Sequence, residues 1–199
     1  EFHIGHLMNN AIGESLSRII KESGSDTKVA SYHGDVGIHV AKAIWAMAKS
    51  GKVQGDFAKA YATGNAAFEE DEQSKKEIIE INKKIYEQLD EEINSIYKNG
   101  RKVSLGFFDS IYKKLDSSFD FNFFESETGE IGKEIVLKNI GKVFEESEGA
   151  VVYKGEKVGL HTRVFLNSEK QPTYEAKEVG LVKKKKELFD FDESITVTG

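Results

Sequence analysis

The sequence predicts an α/β protein: a Rossmann-like parallel sheet interrupted by a helix-rich insertion. Three observations carry this reading. Amphipathic helical stretches alternate with short β-branched or aromatic runs in the first and last thirds of the chain. The middle changes character, becoming highly charged with a narrow apolar stripe. The resulting order is helix, strand, helix, helical middle, helix, hairpin, helix, strand. That order fits a sheet whose crossovers are helices and which a helical segment splits.

The elements follow in turn. Ile4, Leu7, Ala11, Ile12, Leu16, Ile19 and Ile20 form one stripe, so a helix is expected from Ile4 to about Ser23, with Gly24 as its stop. Val29 to Tyr32 reads as a strand that runs into the glycine-rich turn His33-Gly34-Asp35-Val36-Gly37. A second helix is expected from Ile38 to Ser50, ended by Gly51. From Glu69 to Asn99, Ile78, Ile81, Ile85, Leu89, Ile93 and Ile96 mark a long helix, with a further helix at Leu105 to Leu115. Phe119, Phe121 and Phe123 alternate with polar residues, as in a half-buried strand. A helix at Gly132 to Glu146 comes next, then a hairpin of Ala150–Tyr153 and Val158–Leu166, a helix from Thr173, and a final strand at Ser194–Val197. The domain reading is 1–68 as the first part of the sheet domain, 69–130 as the insertion and 131–199 as the second part.

Composition narrows the classes. Hydrophobic residues make up 39%, enough for a core, and charged residues 31%, high but within the range of a soluble protein. No run approaches the roughly 18 apolar residues of a membrane helix, and no secretory signal opens the chain. The absence of cysteine removes disulfides and Cys-based zinc sites, so a cytoplasmic location is expected. A net charge of −6 argues against a uniformly basic surface for nucleic acid. The run Lys183–Lys186 reads as the solvated face of a helix. The chain lacks an initiator Met and stops on an apolar run, so both ends read as cut.

The sharpest chemical feature is His3-Ile4-Gly5-His6 at the start of the first helix. Residues three apart share a helix face, and the helix N-terminus presents unpaired N–H groups with partial positive charge. With Gly5 leaving room for a flat ring, this suits a nucleotide triphosphate. Two other readings stay open at this level: exposed histidines without a role, and a metal pair needing a third ligand such as His33 or His39. No metal site is assigned.

This tetrad is the signature of class I aminoacyl-tRNA synthetases, and the chain resembles the arginyl-tRNA synthetase family along nearly its whole length. Gly5 to Leu16 resembles the helix that follows the tetrad. Tyr32-His33-Gly34-Asp35-Val36-Gly37 is similar to the family's GDWG element, with Val36 in the Trp position. Thr173-Tyr174-Glu175-Ala176-Lys177-Glu178-Val179-Gly180 resembles its TYxxxD stretch, with Glu178 in place of Asp. Ser194 to Gly199 resembles the strand leading to the active-site loop.

The resemblance implies activation of L-arginine with ATP, accompanied by Mg2+, to the arginyl-adenylate, and transfer to the 3′ end of tRNA(Arg). It assigns His3 and His6 to catalysis and His3, Gly5, His6 and Gly199 to ATP. It assigns Tyr174 and Glu178 to arginine, with Asp35 as the next acid. A carboxylate is what a guanidinium requires, ideally through a two-bond fork. The approach segment before the tetrad, the KMSKS-type motif and the anticodon-binding domain of the family do not occur in these residues. A truncated catalytic fragment, inactive by itself and meeting tRNA mainly through other regions, is therefore expected. The alternatives are an HxGH-superfamily nucleotidyltransferase, which gives no reason for the Tyr174/Glu178 pair, and a non-catalytic fragment that binds tRNA or a partner. Turnover separates the last of these from an enzyme.

Overall fold

The computed structural model describes residues 2–51 and 57–198. The chain is mixed α/β and divides into two compact units: residues 1–121 with 196–199, and residues 122–195.

The first unit opens with helix α1 (Ile4–Glu22), followed by strand β1 (Ala30–His33) and helix α2 (Ile38–Ser50). Gly51 ends α2 in the left-handed conformation (φ 65°), which glycine adopts without a Cβ penalty. Helices α3 (Phe57–Glu70), α4 (Glu72–Glu87) and α5 (Glu91–Lys114) follow. The single helix expected from Glu69 to Asn99 is thus interrupted twice. Asp71 and Asp90 each adopt extended backbone and cap a new helix, accepting from Ser74 N at 2.7 Å and Ile93 N at 3.1 Å. The helix expected at Leu105–Leu115 is the continuation of α5, because nothing caps or breaks the chain between them. No strand occurs from Glu72 to Leu115.

Val36, Ala41, Ile44, Met47, Ile78, Ile85, Ile93, Ile96 and Tyr97 form the core of this unit. The helices come close through small residues. A Cβ on Gly64 would stand 2.0 Å from the Lys42 carbonyl oxygen, and one on Gly100 would stand 2.5 Å from the Phe57 ring. Where strand β2 (Phe121–Phe124) begins, Phe121 joins β1 in a two-stranded parallel sheet. There Asp120 N donates to Val29 O at 2.8 Å, and Val29 N donates to the Asp120 carboxylate at 2.8 Å.

The second unit contains helix α6 (Glu125–Lys138), strands β3 (Glu145–Ser147), β4 (Ala150–Tyr153) and β5 (Arg163–Leu166), and helix α7 (Tyr174–Leu188). The expected hairpin is present as the antiparallel pair β4–β5, extended by β3 into a three-stranded sheet. The helix expected at Gly132–Glu146 instead starts at Glu125 and stops at Asn139, with Gly141 at φ 80° turning the chain. Two acids in its first turn, Glu125 and Glu127, suit the helix dipole. Helices α6 and α7 pack at backbone distance. A Cβ on Gly132 would lie 1.8 Å from the Ala176 carbonyl oxygen, and one on Gly180 1.9 Å from that of Thr128.

The final strand expected at Ser194–Val197 does not form. The segment pairs with no strand among the described residues, and Ile195 is largely exposed. β-Branched residues stabilise a strand only where a ladder accepts them.

Candidate nucleotide and amino-acid sites

The tetrad builds its own helix cap. His3 is the N-cap of α1, with extended backbone, and its Nδ1 accepts from Gly5 N at 3.1 Å. In return His3 N donates to Nδ1 of His6 at 3.3 Å. The exchange is the reciprocal pattern of a capping box, with two imidazoles in place of the usual hydroxyl and carboxylate. A backbone N–H can only donate, so each Nδ1 must be an acceptor. Both neutral rings therefore carry their proton on Nε2 and offer it as a donor.

The rings lie on one side of the helix end, with centroids 4.0 Å apart. Gly5 has a definite role here. A Cβ at this position would stand 2.9 Å from Cε1 of His3, so the flat ring that approaches Gly5 is the chain's own imidazole. Burial holds the His6 pKa below its ordinary value, and the neighbouring His3 and His33 push it the same way.

His6 sits in an aromatic group. Phe2 stacks on it at 5.5 Å and 26°, and Phe108 of α5 meets it edge-on at 5.5 Å and 88°. Phe108 also meets His33, the last residue of β1, at 6.1 Å. The start of α1 thus lies by the carboxyl end of β1, where α/β folds place ligand sites.

Asp35, the further acid named from the sequence, has partners within the chain. Its carboxylate is almost completely buried and pairs with the chain's own Arg101 at 2.9 Å, while Tyr97 donates to it at 3.2 Å. Both partners lie on α5. Val36, in the Trp position of the family element, belongs to the apolar core.

Tyr174 and Glu178 lie in the second unit, one turn apart at the start of α7. Thr173 fixes this helix end by donating its hydroxyl to Val164 O at 2.6 Å, and its amide donates to Phe165 O at 3.0 Å. Their side chains share one face of the helix, the phenol within electrostatic reach of the carboxylate. Burial raises the Glu178 pKa and nearby Glu125 adds to this, whereas the Tyr174 hydroxyl and Lys185 oppose it. Burial, then Glu178, raises the Tyr174 pKa. Beside them Lys177 and Glu125 form a nearly buried ion pair at 2.6 Å.

The lysine run is spent in ion pairs and polar contacts: Lys183 with Glu187, Lys184 with Glu127, Lys185 with Ser194, Lys186 with Asp190. Gly199 lies outside the described residues. Among the described residues no cluster of three or more His, Cys, Asp or Glu could hold a metal ion, and no helix is long and apolar enough to cross a membrane.

Sequence reading alone misses the partners from α5. Tyr97, Arg101, Phe108 and Tyr112 recur at spacings of four, seven and four, which is one helix face. That pattern was available as a signal, though its mixture of polar and aromatic residues hides it from an apolar-stripe search.

Comparison with known proteins places the whole chain in one family. The sequence model for the class I (R) tRNA synthetase catalytic domain matches residues 1–199. An arginine–tRNA ligase of Borrelia garinii subsp. bavariensis is 32% identical over 99% of this chain and 37% of its own length. That of Borreliella burgdorferi is 30% identical with the same coverage, and that of Treponema pallidum 27% over 36% of its length. The chain thus spans little more than a third of these curated relatives. Among solved structures, the arginyl-tRNA synthetase of Plasmodium falciparum superposes with a TM-score of 0.70 at 21% identity, covering 93% of this chain and 32% of that one. A putative arginyl-tRNA synthetase of Campylobacter jejuni gives 0.62 at 19%, covering 94% and 42%. The chain belongs to the class I tRNA synthetase (R) catalytic-domain family.

Proposed function

We propose that this chain carries the ATP-binding and arginine-selecting parts of an arginine–tRNA ligase. The observation that carries the reading is the Tyr174–Glu178 pair: a partly desolvated carboxylate one turn from a phenol, on a helix end fixed by Thr173. Such a group is unfavourable when charged and unpaired, and a planar guanidinium relieves that cost through two parallel bonds. The names of the curated relatives support the same substrate.

In this reading, His3 and His6 present Nε2–H donors to the ATP phosphates, with the N–H groups of the first turn of α1 adding to them. Mg2+ accompanying ATP would supply neutralisation of phosphate charge. The arginine carboxylate attacks the α-phosphorus and pyrophosphate leaves, then the aminoacyl group passes to the 3′ end of tRNA(Arg). The protein's part is positioning and stabilisation of developing charge. Residues 69–130 act as the insertion between 1–68 and 131–199, tRNA is met mainly through regions outside this chain, and the enzyme works in the cytoplasm.

The test is ATP–pyrophosphate exchange by the complete polypeptide that carries these residues, with and without tRNA. Exchange that depends on arginine and is not supported by lysine is expected. Exchange independent of any amino acid would point to a nucleotidyltransferase, and none at all to a binding fragment.

A further inference from the structure

One face of α5 touches both the loop after β1 and the rings of the tetrad. Tyr97 and Arg101 grip Asp35 in the loop after β1. Two turns on, Phe108 meets Phe2 at 5.5 Å, His6 at 5.5 Å and His33 at 6.1 Å, always near edge-on. Tyr112 backs Phe108 at 6.0 Å and Phe119 at 4.8 Å. A ring edge is positive and a ring face negative, so an edge-on neighbour favours one plane of the ring it meets. The Nδ1 of His6 is held by the His3 amide, so its ring has one anchor within α1 and a second from α5.

We propose that Phe108 is a positioning residue for the nucleotide site, fixing the plane of His6 so that its Nε2–H points where a phosphate oxygen must sit. The proposal rests on the reading that His6 meets ATP. Phe108 itself touches no substrate. The His6 pKa is lowered first by burial and then by charged neighbours, among them His3 at the cap of α1 and His33 of β1. On α5 the titratable neighbours are Tyr112, with its own pKa raised by burial, and Asp109 beside it. Removing the Phe108 ring admits water to the imidazole. Protonation at Nδ1 then competes with the cap at a higher pH.

The complete polypeptide provides the test, through ATP–pyrophosphate exchange. Phe108→Ala is expected to raise the KM for ATP by roughly three- to tenfold, the scale of one aromatic pair, with the KM for arginine unchanged. The acid limb of kcat/KM for ATP should move up toward the ordinary histidine range. Phe108→Leu keeps apolar cover without a ring edge, and should shift both readouts in the same direction by less. Phe107→Ala, at an exposed neighbour on the same helix, should shift neither. His6→Asn separates the failures. If it collapses ATP use while Phe108→Leu and Phe108→Ala leave KM and the acid limb as in the wild type, the positioning role is overturned and the nucleotide reading stands. If His6→Asn has no effect on ATP, both are overturned. If Phe108→Ala unfolds while Phe108→Leu matches the wild type in both readouts, Phe108 is only a packing residue and the proposal is overturned.

Discussion

The buried carboxylate of Asp35 and the guanidinium of Arg101 meet at 2.9 Å, joining the loop after β1 to the middle of α5. Removing only the cation takes the Arg101 charge away from a desolvated carboxylate. Arg101→Met should therefore destabilise by about 1.5–3 kcal/mol. For a chain of this size that is a fall in melting temperature of roughly 3–12 °C. Tyr97→Phe, which removes one neutral donor, should cost less than half as much. Equal melting curves for Arg101→Met and the wild type would show the pair to be idle.

Gly5→Ala tests the cap. The added methyl collides with the His3 ring, so the ring must swing out and Gly5 N loses its acceptor. Loss of an N-cap costs about 0.5–2 kcal/mol. In exchange assays with the complete polypeptide, ATP affinity should fall while arginine affinity holds. Unchanged ATP affinity would show that the imidazole cap and nucleotide binding are unrelated.

Glu178→Gln keeps shape and removes charge. A charge-assisted hydrogen bond contributes about 1.5–3 kcal/mol, so the KM for arginine should rise roughly ten- to a hundredfold, and that for ATP little. The pH dependence follows from the sign of the shift. Glu178 has a raised pKa, so it takes up a proton at a higher pH than an ordinary glutamate, and arginine binding is lost as pH falls through that raised value. The acid limb of kcat/KM for arginine should lie above the usual carboxylate range and vanish in Glu178→Gln. A limb unaffected by the substitution would assign the selecting charge elsewhere.

Lys177 and Glu125 form a close, nearly buried pair. Lys177→Met alone should cost about 3–5 kcal/mol, because it leaves one buried charge uncompensated. Lys177→Met with Glu125→Gln should recover part of that loss in a thermal melt. If the double variant is as unstable as the sum of the singles, the two residues are not coupled.

Much of the first unit was legible because its signals are local. The stripe from Ile4 to Ile20 gives α1, Gly51 gives the end of α2, and the His3-to-His6 spacing gives one helix face. Errors arose where a local pattern competed with a cap. Ile135, Val136, Ile140 and Val143 keep a helical rhythm past Asn139, but Gly141 turns the chain first. Asp71 and Asp90 are cap residues set inside a continuous stripe, and the stripe concealed the breaks. The run Ile195-Thr196-Val197 has strand composition without a strand beside it. At the site, tetrad and carboxylate could be read from residue type. The Arg101 partner of Asp35 and the rings around His6 come from far along the chain, and no local rule announces them.

The glycine contacts between α6 and α7 set how the end of the second unit can move. With the Gly132 Cα against the Ala176 carbonyl and Gly180 against that of Thr128, the two backbones interlock at two points about one turn apart on each helix. Sliding by a single residue would drive a side chain into a carbonyl, so neither helix can shift along the other by small steps. Any displacement that carries Tyr174 and Glu178 must therefore carry α6 with them as one piece, and opening or closing around a bound amino acid would be a swing of that block and not a bend within it.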